Sequence, residues 1–133
     1  MLNTNDWTGK LDALAAAAGN HTLLLKSDAV RVLDTLVRPG QAVPLHRHQW
    51  PSVNYLLSWS DFIRRGASGA ILLDRHNTSR QPQPGAAFWG SALPPHTLEN
   101  VGRSDLRLIT VELKHPVAAK LLATITRAMV TWR

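Results

Sequence analysis

The feature that most constrains this chain is the texture of residues 21–114, where short apolar runs are repeatedly cut by glycine and proline. Residues 21–26 form one β-type run, and 29–38 form the next beyond a break at Ser27-Asp28. Pro39-Gly40 supplies a turn, since proline presets one turn dihedral and glycine accepts the unusual one. Pro51 interrupts again, because proline cannot donate to a ladder and sits at strand starts or edges. Further runs follow over 52–60, 62–65, 70–75, 85–89 and 105–114, with a polar, proline-rich loop over 77–84. Many short strands at close spacing predict an all-β sandwich or barrel.

The two ends read differently. Residues 1–20 carry a helix, capped by Asn5 or Asp6, with Trp7, Leu11, Leu14, Ala15 and Ala18 on one stripe and Gly19-Asn20 as the stop. Residues 116–132 predict a second helix, with Pro116 at its first position and Val117, Leu121, Ile125, Met129 and Trp132 along one face. The length suits a single domain, 1–133, built as helix, barrel over 21–114, and helix. No apolar run reaches membrane-spanning length, so no membrane is expected. The alanine run after Leu14 follows acidic residues rather than a basic leader, and there is no cysteine; a cytoplasmic location is the expectation. The net charge is +6, yet the arginines are scattered rather than striped, which argues against nucleic acid and for an anionic small molecule.

Chemistry concentrates in two stretches. In residues 40–55, His46 and His48 lie two apart on an extended segment and so share a face. In residues 85–100, His96 follows Pro94-Pro95 and precedes Asn100. Together these resemble the cupin family, whose motifs are G-x5-H-x-H-x(3,4)-E-x6-G and G-x5-P-x-G-x2-H-x3-N. Gly40, His46 and His48 match the first motif in spacing, and Gly85, His96 and Asn100 match the second. Ser91 and Leu93 replace a proline and a glycine of the second motif. The glutamate of the first motif should fall at 52 or 53, where Ser52 and Val53 stand, and its closing glycine is replaced by Trp59 or Ser60.

The resemblance implies a double-stranded β-helix, or jelly-roll, barrel with short terminal helices, a homodimer, and three inward histidines at one point. His46, His48 and His96 are then the expected ligands of a divalent transition metal: zinc, iron, nickel, manganese or copper. Such a centre supports a lyase, isomerase, decarboxylase or dioxygenase acting on a small anionic metabolite. The alternative is a non-catalytic, metal-free module that binds a small ligand. Asn54, Tyr55, Trp59, Phe62, Arg64, Phe88 and Trp89 are the expected pocket residues, with Arg64 placed to meet a carboxylate. Only two glutamates exist, Glu99 and Glu112; Glu99 is expected outward, and for Glu112 both orientations stand. His21, His76 and His115 are left outside the site.

Overall fold

The computed structural model describes residues 9–77 and 79–115. Nine strands run in order: β1 (His21–Lys26), β2 (Val30–Val37), β3 (Ala42–His48), β4 (Ser52–Ser58), β5 (Phe62–Gly66), β6 (Ile71–Arg75), β7 (Ala87–Gly90), β8 (Leu93–Asn100) and β9 (Leu106–Leu113). They form two antiparallel sheets, one ordered β1-β2-β9-β4-β7 and the other β3-β8-β5-β6. The expected double-sheet architecture is therefore present.

Strand alternation decides what lies inside. On β4, Ser52, Asn54 and Leu56 are buried while Tyr55 and Leu57 are exposed; on β9, Leu106, Thr110 and Glu112 are buried. The inward set changes character along each strand. At one end Val37, Val43, Leu56, Phe62 and Leu106 pack with Ala17 into an apolar core, flanked by Trp59, Leu98 and Leu108. Toward the other end the same strands turn Arg31, His46, His48, Asn54, His96, Thr110 and Glu112 inward, half-buried at His48 and buried at the rest. The molecule thus separates a hydrophobic plug, which supplies the folding drive, from a polar interior at the other end.

Asn100 closes the apolar end. Its amide donates to the carbonyls of Val37 at 2.9 Å and Ser104 at 2.8 Å, and its Oδ1 accepts from Ser60 Oγ at 2.7 Å and Gly102 N at 3.0 Å. Gly102 must be glycine: a Cβ there would collide with Ser60 Oγ and come within 2.8 Å of Asp61 N.

Two expectations change. The N-terminal helix is short, Ala13–Ala16, preceded by a 3-10 turn at Gly9–Leu11. Asp12 explains the break: it sits at φ −56°, ψ 143° and caps the backbone N–H of Leu14, so a helix begins at Asp12 rather than running through it. Asn5, Asp6 and Trp7 lie outside the described residues, as does the helix expected over 116–132. The second change is β8, a strand running through Pro94-Pro95. The prolines withhold two donors, and the β3–β8 ladder answers with register shifts between Val43, His46 and His48.

Candidate metal centre

His46 and His96 face each other directly across the β3–β8 ladder, with ring centroids 4.4 Å apart. His48, two residues along the same strand, lies 5.1 Å from His46 and 5.8 Å from His96. His46 is 3% exposed and His96 2%, so all three rings converge inside the barrel and none lies on its surface. A fourth ring joins them. His21, at the start of β1, is 5% exposed and stands 5.0 Å from His46 and 5.5 Å from His48. One ligand atom each from His21, His46 and His48 lie within 4.8 Å of one another. His21, which neither motif contains, stands in this group where His96 was expected.

Backbone contacts orient three of the four rings. The Nδ1 atoms of His46 and His96 each meet the carbonyl of the proline two residues before, Pro44 and Pro94, at 2.8 Å. His21 Nδ1 meets the Ala17 carbonyl, at the end of the short helix, at 3.0 Å. A carbonyl only accepts, so each Nδ1 carries the proton and the neutral ring keeps its lone pair on Nε2. Burial then holds the rings neutral. It lowers His21 to about 4, with His48 adding repulsion. It lowers His46 to about 2, helped by the His96 and His48 charges. It lowers His96 to about 3, with His48 and Arg64 acting the same way. Neutral imidazoles with the tautomer fixed by the other nitrogen are what a metal ligand set requires.

The missing motif carboxylate has a neighbour in its place. Ser52 pairs directly with Glu112 across β4 and β9, and Glu112 is fully buried, facing the histidines. Its Oε2 lies 3.9 Å from His48 Nδ1, a buried nitrogen with no hydrogen-bond partner. Arg31 grips this carboxylate, with Nε to Oε1 at 3.0 Å and Nη2 to Oε2 at 3.2 Å. The same guanidinium binds Asp12 at 2.8 and 2.9 Å and lies under the Trp50 ring at 5.0 Å. Burial would raise Asp12, but the Arg31 bonds and charge outweigh it and hold that carboxyl below its usual value. Two carboxylates against one guanidinium leave net negative charge beside the rings. The donor set, the fixed tautomers and the orphaned His48 Nδ1 together fit a divalent transition ion.

The expected pocket residues divide. Asn54 is buried on the inner face, donating to Ser52 Oγ at 3.1 Å and accepting from Thr110 Oγ1 at 2.8 Å. It is satisfied within the chain. Arg64 is half-buried on β5, its Nε has no hydrogen-bond partner, and burial lowers its pKa. Phe88 pairs with Asn54 and so takes the inner side of an edge strand, where it is 46% exposed.

Four aromatic expectations need correcting. Tyr55 and Trp89 are on the outer face, because the alternation that turns Asn54 inward turns its neighbours out. Phe62 belongs to the apolar core. Trp59 packs at that same end, where it lines a polar cleft of about 430 Å³ with Asp61, His76 and Arg103, a cleft that His21, His46, His48 and His96 do not line. Glu99 is only half-buried and faces Arg65 at 3.9 Å, in line with its expected outward position.

No family model matches the sequence, and no curated protein matches it. Solved structures do. A cupin domain from Bordetella pertussis Tohama I is 17% identical, with a TM-score of 0.56, covering 71% of this chain and 92% of that one. An RmlC-like cupin from Methanocaldococcus jannaschii is 11% identical with a TM-score of 0.49, covering 75% and 85%. A polyketide cyclase from Streptomyces resistomycificus is 19% identical with a TM-score of 0.47, covering 71% and 64%. What the chain shares with the Bordetella domain is the fold.

Proposed function

From the cupin double-stranded β-helix fold, we propose that the chain is a small metal-dependent cupin, its divalent ion held by His46, His48 and His96, that acts on a small anionic metabolite. The observation that carries this reading is the pair of mirrored Pro-x-His units: His46 and His96 oppose each other, each with Nδ1 donated to a proline carbonyl and its lone pair left on Nε2. Two strands far apart in sequence thus present the same donor with the same tautomer. A bound divalent ion would polarise an oxygen of the substrate. Everything else falls to the chain. Arg64, with an unsatisfied Nε and a charge felt at His96, is the group to hold a substrate carboxylate. Glu112, held by Arg31, places negative charge 3.9 Å from His48 Nδ1, where it favours a bound cation. Phe88 narrows the inner face beside Asn54.

One observation favours the second reading, a metal-free module that binds without chemistry. Both oxygens of Glu112, the carboxylate nearest the rings, are occupied by Arg31, so it is poorly free to move protons. In either case the outer sheet face, with Val53, Ile109, Val111 and the exposed Tyr55 and Trp89, supports the homodimer. No helix among the described residues is long and apolar enough to cross a membrane.

Elemental analysis of protein purified without chelator, and again after incubation with zinc, nickel, manganese, iron and copper, separates the readings. The proposal expects about one ion per chain, lost in His46→Ala and His96→Ala. Folded wild-type protein that takes up no ion from any of the five overturns it and leaves the metal-free module.

A further inference from the structure

We infer that His21 is a fourth metal ligand, so that β1 and the short helix before it form part of the centre. The inference rests on the metal reading above and adds a residue that neither motif contains. Three observations converge on it. His21, His46 and His48 each offer a ligand atom, all within 4.8 Å of one another. The His21 ring is buried and packs against two of the other three imidazoles, at 5.0 and 5.5 Å. Its Nδ1–H is already given to Ala17, so its lone pair sits on Nε2, the same arrangement as in His46 and His96.

A purely structural role explains less. A histidine kept only for packing has no need to bring a lone pair into a cluster of other lone pairs, where the electrostatics are unfavourable without a cation between them. The position is also costly to maintain. β1 is an edge strand whose Leu23, Leu24 and Leu25 are more than two-fifths exposed, and it pairs with β2 alone. His21 is its one buried residue. An ion shared by His21, His46 and His48 would tie this edge to the opposite sheet, since β3 lies in the other one. Four neutral imidazoles also remove the need for a carboxylate ligand at position 52. Glu112 then lies beside the group as a charge, 3.9 Å from His48 Nδ1.

Cobalt(II) is the probe, because its visible bands report ligand number and type. Three samples decide the matter: wild type, His21→Ala, and His21→Gln, whose amide can still donate to Ala17. Cobalt titrations give affinity and spectrum, and X-ray absorption of the cobalt-loaded wild type counts imidazole ligands. Loss of partners that merely orient a ligand weakens metal binding by about 10–100-fold, so loss of a direct ligand is expected to weaken it by roughly tenfold or more. The expected result is four imidazoles in wild type, and weaker binding with altered bands in both folded variants. Wild-type affinity and bands in either folded variant, or three or fewer imidazoles in wild type, overturns the role of His21. A wild-type protein with no cobalt bands at all instead overturns the metal reading beneath it.

Discussion

Acidification of the metal-free protein is the sharpest test of the buried imidazole cluster. His21, His46 and His96 have folded-state values near 4, 2 and 3, all set first by burial. In the unfolded chain each returns to about 6.5. Between roughly pH 6.5 and 4 the unfolded chain therefore binds up to three protons that the folded chain refuses, and stability must rise with pH across that window. The contribution is complete above the unfolded value and is lost as the pH falls. Going from pH 7.5 to pH 5 removes about 2 kcal/mol per imidazole, or about 6 kcal/mol for the three. That is comparable with the whole stability of a domain this size, about 5–15 kcal/mol. Urea unfolding in the presence of chelator, followed by tryptophan fluorescence at several pH values, measures it. The midpoint is expected to fall steeply, with a slope near three protons, and His46→Gln is expected to reduce the slope by about one. A midpoint that barely moves between pH 7.5 and pH 5 would show that the rings are not held neutral by burial, and the tautomer argument would fail with it.

Two other perturbations separate the ends of the barrel. Glu112→Gln leaves the buried Arg31 guanidinium without its deeper partner, at a cost of roughly 3 kcal/mol in urea unfolding; by removing the negative charge beside His48 it is also expected to weaken the binding of a divalent ion. An unchanged urea midpoint would count against the network. Asn100→Ala removes four hydrogen bonds at the apolar end and is expected to destabilise by about 3 kcal/mol, while metal affinity in the still-folded protein stays within about twofold. A large affinity change there would deny the separation of plug from polar interior.

The parts of the fold that could be read in sequence were those that repeat locally. Glycine and proline punctuation marks strands because it acts on the residues next to it, and the pairing of Thr110 and Glu112 on one face follows from strand alternation alone. His46, His48 and His96 stood out because two motifs place them at fixed spacings. His21 had no such signal: it stands on β1 in one sheet while the other three stand on β3 and β8 of the other, and the facing of the two sheets, which no spacing along the chain encodes, brings them together. Arg31 offered the one clue, a charge in the apolar run Val30-Arg31-Val32-Leu33, which marks a buried partner without naming it. Tyr55 and Trp89 were misplaced because aromatic character looks the same on both faces of a sheet. β8 was hidden by its two prolines, which usually argue against a strand.

The proline carbonyls that receive His46 and His96 also bear on how such a barrel diversifies. Ring orientation is set by main-chain oxygen atoms, and those survive almost any exchange of side chain. Neighbouring positions such as Arg64 and Phe88 are therefore free to drift toward new specificities while the nitrogen donors keep their aim. In a metal-holding barrel built this way, donor aim and ligand choice would be inherited separately, one written in the backbone and the other in the lining.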